Sequence, residues 1–278
     1  MLPAAPPLVM GVVNVTPDSF SDGGMFLDTD RAVAHGRLLA SEGADYLDVG
    51  GESTRPGAEA VTEAEELRRV LPVIEQLVEA GSPPISIDTM KPGVARVALG
   101  AGALVVNDVS AFRFAPDMAE VVAEAGVDCC LMHMLGEPRT MQEDPRYEDV
   151  VSDVKAFLEE RLAFALSQGI AEDSVWLDPG IGFGKTVDHN LELLRRLDEL
   201  VAIGRPLVIG TSRKSFLGKI TGRDVTDRLA GTIATNVLAY QKGARIFRVH
   251  DVAPVRDALA VAAATVRGKW TTSESTRT

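Results

Sequence analysis

The sequence has few cysteines and few aromatic residues. Its 278 residues include two cysteines, Cys129 and Cys130, and only 5% aromatic residues. The cysteines are adjacent in an apolar run, and neighbouring residues of a strand point to opposite faces, so a structural disulfide between them is not expected. Unpaired thiols are typical of proteins in a reducing compartment, and we predict a cytoplasmic location.

The chain also lacks a membrane-spanning segment and an excess of basic residues. No run approaches the roughly 18 apolar residues that are typical of a transmembrane helix. The start of the chain, MLPAAPPLVM, lacks the basic region and long apolar stretch of a signal peptide. Its 28 Lys and Arg against 40 Asp and Glu give a net charge of −12. This charge disfavours nucleic acids and anionic membranes as partners, and an anionic substrate would need a local group of basic side chains.

Short apolar runs alternate with segments of helical periodicity along the chain. The eight predicted strands are residues 8–15, 44–49, 84–88, 104–107, 128–133, 175–178, 207–210 and 245–249. Several are almost continuously apolar, as expected of strands that are covered on both faces. Eight βα units predict an α/β protein with a single (β/α)8 TIM barrel, and an open doubly wound sheet is the alternative.

The segments between the predicted strands have helical patterns. Thr62 and Glu65 form a capping-box pattern, and the apolar stripe that follows ends at Gly81. Further helices are predicted around residues 32–40, 92–100, 116–126, 147–169, 189–201, 225–243 and 253–266. No domain boundary is visible, so we predict one barrel domain over residues 1–270 and a disordered polar tail over residues 271–278.

Polar residues follow most of the predicted strands at their carboxyl ends. They are Asn14, Ser53, Thr54, Arg55, Asp88, Asn107, Asp178, Ser212, Arg213, Lys214, Arg248 and His250. The carboxyl ends of the strands of a (β/α)8 barrel meet at one mouth, where the active site is built. The sequence therefore predicts a shared polar site there. Two long βα loops, residues 16–24 and 50–57, are predicted to act as lids over it.

Asp88 and Asp178 each close an apolar strand. A carboxylate in such a place is costly to bury unpaired, so each must meet a cation or the donors of a ligand. A salt bridge to a neighbouring Lys or Arg is the purely structural alternative. With Asn107 and Lys214 at the same rim, the pair favours a planar heterocycle whose amidine-like edge offers parallel N–H donors.

The turn after Asp178 reads PGIGFGKT and ends like a phosphate-binding P-loop. That motif requires a glycine where this chain has Pro179, so we reject a P-loop that binds a nucleoside triphosphate. The glycines instead predict a close approach of the backbone to a ligand, with Phe183 as a stacking face. A glycine-rich turn without a ligand is the alternative.

Basic residues are concentrated after the seventh and eighth predicted strands, at Arg213, Lys214, Arg248 and His250. Many barrels bind phosphate at this place, so the patch could attract an anion despite the net charge. Ordinary surface charge is one alternative, and a Schiff-base aldolase with Lys214 as nucleophile is another. No spacing of His, Cys and Asp resembles a metal site, and any metal would be a Mg²⁺ that arrives with phosphate and takes one protein oxygen.

Eight motifs occur here in the order in which the dihydropteroate synthases of folate biosynthesis have them. They are MGVVNVTPDSFSDGG, GGESTRPGA, SIDTMKP, VVNDVSA, HMLGEPRTMQ, LDPGIGFGKT, GTSRKSFLG and RVHDV. The chain resembles this family over about residues 8–267, with small departures at Leu135 and Glu137. The resemblance implies a condensation of 6-hydroxymethyl-7,8-dihydropterin diphosphate with 4-aminobenzoate to 7,8-dihydropteroate and pyrophosphate. It also implies inhibition by sulfonamides that compete with 4-aminobenzoate.

The resemblance further implies a role for individual residues. The pterin would contact Asp88, Asn107, Met132, Asp178, Phe183, Gly210 and Lys214. The diphosphate would contact Asn14, Arg248 and His250, with Asn14 also a ligand of Mg²⁺, and 4-aminobenzoate would contact Phe20, Thr54, Arg55, Pro56 and Ser212. Asp88, Asp178, Lys214, Arg248 and His250 would be the catalytic residues of a Mg²⁺-assisted dissociative substitution.

The family resemblance also suggests a homodimer that forms through the last helices. Two related alternatives remain, a pterin-binding paralogue without turnover and the pterin-binding domain of a corrinoid methyltransferase. The loop motifs TPDSFSDGG and STRPG argue against both, because either protein would be expected to lack or to have altered them.

Overall fold

The protein is described by a computed structural model over residues 6–16, 25–54 and 60–268, without the side chains of residues 25–28. The strands are β1 (Leu8–Asn14), β2 (Tyr46–Gly50), β3 (Ile85–Asp88), β4 (Val105–Asp108), β5 (Asp128–Met132), β6 (Val175–Asp178), β7 (Val208–Ile209) and β8 (Ile246–Val249). The helices are α1 (Met25–Ser41), α2 (Glu63–Glu79), α3 (Pro92–Gly100), α4 (Met118–Ala125), α5 (Val150–Ser167), α6 (Val187–Arg195), α7 (Leu197–Val201), α8 (Ser215–Thr221), α9 (Leu229–Gln241) and α10 (Val252–Arg267). Phe20, Arg55, Pro56 and the tail from residue 271 lie outside the described residues.

The eight strands are all parallel and form a nearly closed barrel. Their order is β6-β5-β4-β3-β2-β1-β8-β7, so β1 pairs with both β2 and β8. The remaining junction, between β6 and β7, consists of one parallel bridge between Leu177 and Leu207, with the Leu177 N–H donating to the Pro206 carbonyl at 2.9 Å. The barrel prediction is confirmed, and an open doubly wound sheet is excluded because β1 lies in the middle of a closing ring.

Alternate residues of each strand face opposite sides, which divides the core into two parts. One face packs against the surrounding helices, through residues such as Val13, Leu131 and Phe247. The other face points into the barrel, where a separate apolar cluster fills the lower layer: Met10, Val105, Cys130, Trp176, Val208 and Ile246. Cys129 and Cys130 therefore belong to different clusters, and both are unpaired thiols, as predicted.

Each predicted helical segment contains a helix, but several boundaries and one division were wrong. The single helix predicted at 189–201 is two helices, α6 and α7, because Arg196 between them leaves helical geometry at φ −107° and ψ 27°. The helix predicted from residue 225 begins at Leu229, after a 3₁₀ turn. Helix α8 was not predicted. Among the described residues, no helix is long and apolar enough to cross a membrane.

Only half of the predicted capping box forms at the start of α2. The Thr62 hydroxyl accepts a hydrogen bond from the Glu65 N–H at 3.3 Å, as an N-cap should. The Glu65 carboxylate does not return to Thr62 but binds Arg68 and Arg69, with 2.8 Å to Arg69 Nε. Two charged partners on the same helix thus replace one backbone N–H. The helix ends before Gly81, which takes a left-handed conformation at φ 68°.

Candidate active site

The predicted polar residues lie inside the barrel, one layer above the apolar plug. Three of them are two residues further along their strand than a residue of that plug: Asn107 follows Val105, Asp178 follows Trp176, and Arg248 follows Ile246. The period of two along a strand keeps both layers on the inner face. The resulting pocket at the carboxyl ends of the strands is lined by Thr54, Asp88, Asn107, Val109, Met132, Asp178, Gly180, Ile181, Phe183, Gly210, Lys214 and Arg248. The structure thus brings together all seven residues that the resemblance assigned to the pterin.

Arg248 joins two carboxylates at the base of this pocket. Its Nε donates to Asp48 Oδ2 at 2.6 Å, and its Nη2 donates to Asp88 Oδ2 at 2.7 Å. Asn107 Nδ2 donates to the same Asp48 oxygen at 3.1 Å. Burial alone would lower the pKa of Arg248, but the two carboxylates outweigh it and hold that pKa above its ordinary value. Arg248 therefore stays protonated, and the two carboxylates hold it at the base of the pocket.

Asp48 is a site residue that was not predicted from the sequence. This residue is fully buried in the middle of β2, and its neighbours in the strand are apolar. Its position has the same parity as Gly50 at the end of that strand, so it faces the barrel interior. A charged residue inside an apolar strand is a signal of a paired or functional group, and that signal could have identified Asp48 from the sequence.

Burial acts on both predicted carboxylates. It raises the pKa of Asp88 to about 7, although Arg248 acts in the opposite direction. Burial also raises the pKa of Asp178, while the Gly180 N–H, donating to Asp178 Oδ1 at 2.7 Å, and the charge of Lys214 lower it. Both carboxylates are thus buried and need partners, and free oxygens that face the pocket suit the N–H edge of a heterocycle.

The turn after Asp178 depends on a glycine at position 180. Gly180 has φ 65°, and a Cβ there would lie 1.8 Å from the carbonyl oxygen of His133. Only glycine fits this position, because the obstacle is main chain of the neighbouring strand end. The turn can therefore pass directly beneath the pocket and present Phe183 to it.

An apolar cluster that includes Val109, Met132 and Phe183 forms part of the pocket wall. Val109, Met132, Met134 and Met141 form a buried cluster, against which Met90 and Phe183 pack. The Lys214 ammonium lies over the Phe183 ring, with Nζ 3.9 Å from the ring centroid, a cation–π contact. Apolar faces with carboxylates and an amide at the edge suit a flat, polar-edged ligand.

The region after β7 and β8 is less basic than the sequence predicted. Arg213 makes a bidentate ion pair with Asp251, with N–O distances of 3.0 and 2.5 Å. His250 is half-buried, and desolvation together with Arg248 and Arg213 lowers its pKa to about 3, so the ring is neutral at pH 7. Its main-chain N–H donates to Ser212 Oγ at 3.1 Å, and its Nδ1 lies 3.0 Å from the same oxygen. Burial and ion pairing therefore leave less net positive charge than four basic residues would supply.

Ion pairs hold the end of β2, where the second lid loop begins. Lys91 Nζ contacts Glu52 and also Glu66 Oε2, the latter at 2.6 Å. Glu52 Oε1 in turn accepts from the Val61 N–H at 3.0 Å, and Arg69 donates to the Gly51 carbonyl at 2.8 Å. Glu52 thus fixes both ends of the segment 53–60, whose Thr54 reaches the pocket.

Asn14 lies at the end of β1, opposite Gly50 of β2, and is half-buried. Within the described parts of the chain, no group of three or more His, Cys, Asp and Glu residues could hold a metal ion. The amide oxygen of Asn14 nevertheless fits a Mg²⁺ that takes most of its ligands from phosphate and water.

Comparison with known proteins agrees with this geometry. A family model described as pterin binding enzyme matches residues 10–250. The chain is 46% identical to the dihydropteroate synthase of Escherichia coli (strain K12), covering 95% of this chain and 93% of the relative. It is also similar to the solved structure of Xanthomonas albilineans dihydropteroate synthase with 4-aminobenzoic acid, at 51% identity and a TM-score of 0.89, covering 94% of this chain and 93% of that chain.

A second structure of the Xanthomonas albilineans enzyme is a complex with 7,8-dihydropteroate. It is 48% identical to this chain, with a TM-score of 0.85, and the match covers 94% of each chain. Sequence and structure thus agree over nearly the whole length of both proteins. The chain belongs to the pterin-binding enzymes and, within them, to the dihydropteroate synthases.

Proposed function

We propose that the protein condenses 6-hydroxymethyl-7,8-dihydropterin diphosphate with 4-aminobenzoate, giving 7,8-dihydropteroate and pyrophosphate. As a member of the dihydropteroate synthases it is a transferase. Within this chain, one observation supports the proposal most directly. The seven residues that are expected to contact a pterin all line a single pocket. Relatives solved with 4-aminobenzoic acid and with 7,8-dihydropteroate support the choice of the second substrate and the product.

The pocket offers a polar edge and two apolar faces to a pterin. Asp88 and Asn107 are paired in register on neighbouring strands, so they would read adjacent atoms of the ring edge. Asp178, oriented by the Gly180 N–H, would read the edge from β6. Met132 and Phe183 would cover the faces of the ring, with Lys214 donating a hydrogen bond beside them.

The proposed reaction is a dissociative substitution at the methylene carbon of the pterin. The C–O bond to the diphosphate breaks with its electron pair, and the electron-rich ring carries the positive charge that develops. Asp88 and Asp178 would stabilise this charge from fixed positions, which is the most effective form of electrostatic catalysis. The amine of 4-aminobenzoate then forms the C–N bond and loses one proton. Exclusion of water by the βα loops would prevent hydrolysis of the diphosphate.

The diphosphate would lie toward Asn14 and the ends of β7 and β8. A Mg²⁺ held by the Asn14 amide oxygen and by diphosphate oxygens would neutralise charge on the leaving group. His250, being neutral, would contribute a hydrogen bond rather than a charge. Arg248 would contribute its positive charge from the base of the pocket, where its ion pairs with Asp48 and Asp88 hold it.

Pyrophosphate release from purified protein tests this function. With dihydropterin diphosphate and Mg²⁺ present, we expect release that depends on 4-aminobenzoate and that yields dihydropteroate. Asp88→Asn and Arg248→Ala should each reduce turnover by about 100-fold or more, as for the loss of preorganised electrostatic stabilisation. Tight binding of pterin without any release would instead identify a binding paralogue. A borohydride-trapped adduct on Lys214 with a carbonyl substrate would favour the Schiff-base aldolase.

A homodimer formed through α9 and α10 is also proposed. An open, mainly apolar groove runs between these helices and is lined by Val237, Gln241, Asp257, Ala258, Val261, Ala262 and Thr265. Val261 of this lining is 67% exposed, and Leu238, which follows Val237 in α9, is 58% exposed. Light scattering should give a dimer, and Val261→Asp should give a monomer.

The two buried, unpaired cysteines support a cytoplasmic location.

A further inference from the structure

Lys185 is a buried cation that the proposed reaction does not use. It ends the glycine-rich turn and, at 3%, is the least exposed lysine or arginine in the described parts of the chain. Its Nζ lies 2.9 Å from His133 Nδ1 and 3.0 Å from the Phe183 carbonyl oxygen, to which it donates. A buried ammonium is costly unless its donors are satisfied, so a lysine at this position calls for a specific role.

His133 is suited to accept a hydrogen bond from this ammonium. Burial and the charges of Lys185 and Arg113 lower the pKa of His133 to about 2, so its ring is neutral and Nδ1 can carry a lone pair. The ring is also fixed in place by an edge-on contact with Phe157 at 4.8 Å between ring centroids. His133 thus holds Lys185 from the end of β5.

The carbonyl groups of the turn are held by side chains from other parts of the molecule. Gln142 Nε2 donates to the Gly182 carbonyl at 2.6 Å, and the Tyr147 hydroxyl donates to the Gly184 carbonyl at 2.7 Å. Between them, Lys185 holds the carbonyl of Phe183 itself. The residue whose ring lines the pterin pocket therefore has its main chain fixed by the one charged group of this set.

Lys185 also lies close enough to Asp178 to act on its charge. Burial lowers the pKa of Lys185 to about 7, and Asp178 opposes this shift. Lys185 is likewise among the cations that lower the pKa of Asp178 against its burial. The ammonium thus stabilises both the geometry of the turn and the ionised form of a pterin-facing carboxylate.

We propose that Lys185 is a positioning residue for the pterin: held by neutral His133, it fixes the Phe183 carbonyl and thereby the ring of Phe183 that covers the pterin. This inference rests on the proposed function for the identity of the ligand. Its effect is read in pterin binding alone, so a wild-type protein that binds pterin but does not release pyrophosphate would refute the proposed catalysis and leave this test intact.

The test measures the Kd of 6-hydroxymethyl-7,8-dihydropterin by titration calorimetry. Lys185→Met should weaken binding by about 10- to 100-fold, because it leaves the Phe183 carbonyl without its charged donor. The control Lys155→Met, whose side chain is 37% exposed, should stay within about twofold of wild type. His133→Leu should weaken binding in the same direction. His133→Gln, which keeps a neutral acceptor, should restore it to within about threefold of wild type, a rescue that a merely space-filling role would not produce.

A double-mutant cycle identifies the route of the effect. If Lys185 acts through Phe183, then Lys185→Met should cost much less in a Phe183→Ala background, because the ring to be positioned is absent. An equal loss in both backgrounds would overturn the proposal. So would wild-type pterin affinity in Lys185→Met or in His133→Leu. Should Lys185→Met fail to fold, the His133 pair alone decides the matter, since rescue by Gln supports the proposal and its failure refutes it.

Discussion

Removing the buried carboxylate of Asp48 should both destabilise the protein and release Arg248. Asp48 accepts from Arg248 at 2.6 Å and from Asn107 at 3.1 Å, both on the same oxygen. Asp48→Ala leaves two buried donors without this acceptor. Removal of one partner from a buried ion pair costs about 3–5 kcal/mol, and the lower end applies here because Arg248 keeps Asp88. The expected loss is about 3 kcal/mol in the free energy of unfolding.

Asp48→Asn provides a graded comparison. The amide keeps the shape of the side chain and one acceptor oxygen. The free energy of unfolding should therefore fall only by the difference between a charged and a neutral hydrogen bond, about 1–2 kcal/mol. Asp198→Ala is the matched surface control, because Asp198 is 60% exposed and forms its ion pair with Lys242 at 2.9 Å on the surface. Such surface pairs contribute about 1 kcal/mol or less.

Urea denaturation of the three variants, followed by pterin titration, checks the order. Asp48→Ala should lose the most stability, Asp48→Asn an intermediate amount, and Asp198→Ala the least, and only the two Asp48 variants should lose pterin affinity. A loss below about 1 kcal/mol for Asp48→Ala, together with wild-type pterin affinity, would refute the reasoning, because it would mean that Asp88 alone holds Arg248.

Three further predictions concern other parts of the site. Gly180→Ala should lose at least about 10-fold in pterin affinity by isothermal titration, since its Cβ would meet the His133 carbonyl at 1.8 Å; Gly81→Ala, with φ 68° and no neighbour within 4 Å, should cost only about 1 kcal/mol of stability and no affinity. Lys91→Met should lower the free energy of unfolding by about 3 kcal/mol in urea denaturation, because it leaves the fully buried Glu66 carboxylate without its cation, and a loss under about 1 kcal/mol would contradict this. The fold lowers the pKa of His133 to about 2, so its contribution to the free energy of unfolding is present above the unfolded pKa of 6.5 and is lost as the pH falls. In His133→Gln, the free energy of unfolding should therefore decrease less steeply between about pH 6 and 4, by about 1.4 kcal/mol per pH unit. Equal slopes in both proteins would be inconsistent with a neutral ring.

The barrel could be predicted from the sequence because its signal is local. Each strand is a short apolar run, and the polar residue at its end has the parity of the inner face, so Asp88, Asn107 and Asp178 could be placed in one site without coordinates. Asp48 was missed because it lies within a strand rather than at its end. Periodicity identifies a face, but it does not reveal which charged residue on that face meets a partner from another strand.

The charge state of the site could not be predicted from the sequence. His250 and Arg213 look like an anion-binding pair in the chain, but burial makes His250 neutral and Asp251 pairs with Arg213. Both effects depend on neighbours that are far away in sequence or on enclosure by several elements. Arg196, at the break between α6 and α7, likewise binds a partner that is distant in sequence, Asp149, 47 residues earlier in the chain.

The junction between β6 and β7 is the weakest part of the barrel wall, and a bound ligand would strengthen it. This junction is a single bridge, from Leu177 to Leu207, whereas the other strand pairs share continuous ladders. Asp178 lies directly after the bridge on one side, and Gly210 and Lys214 follow it on the other. A pterin that contacts both sides would link two strands that the main chain joins at only one bridge. Amide hydrogen exchange at Leu177 should therefore slow on pterin binding more than exchange in β1 does. The substrate would in this way stabilise the closed form of the barrel.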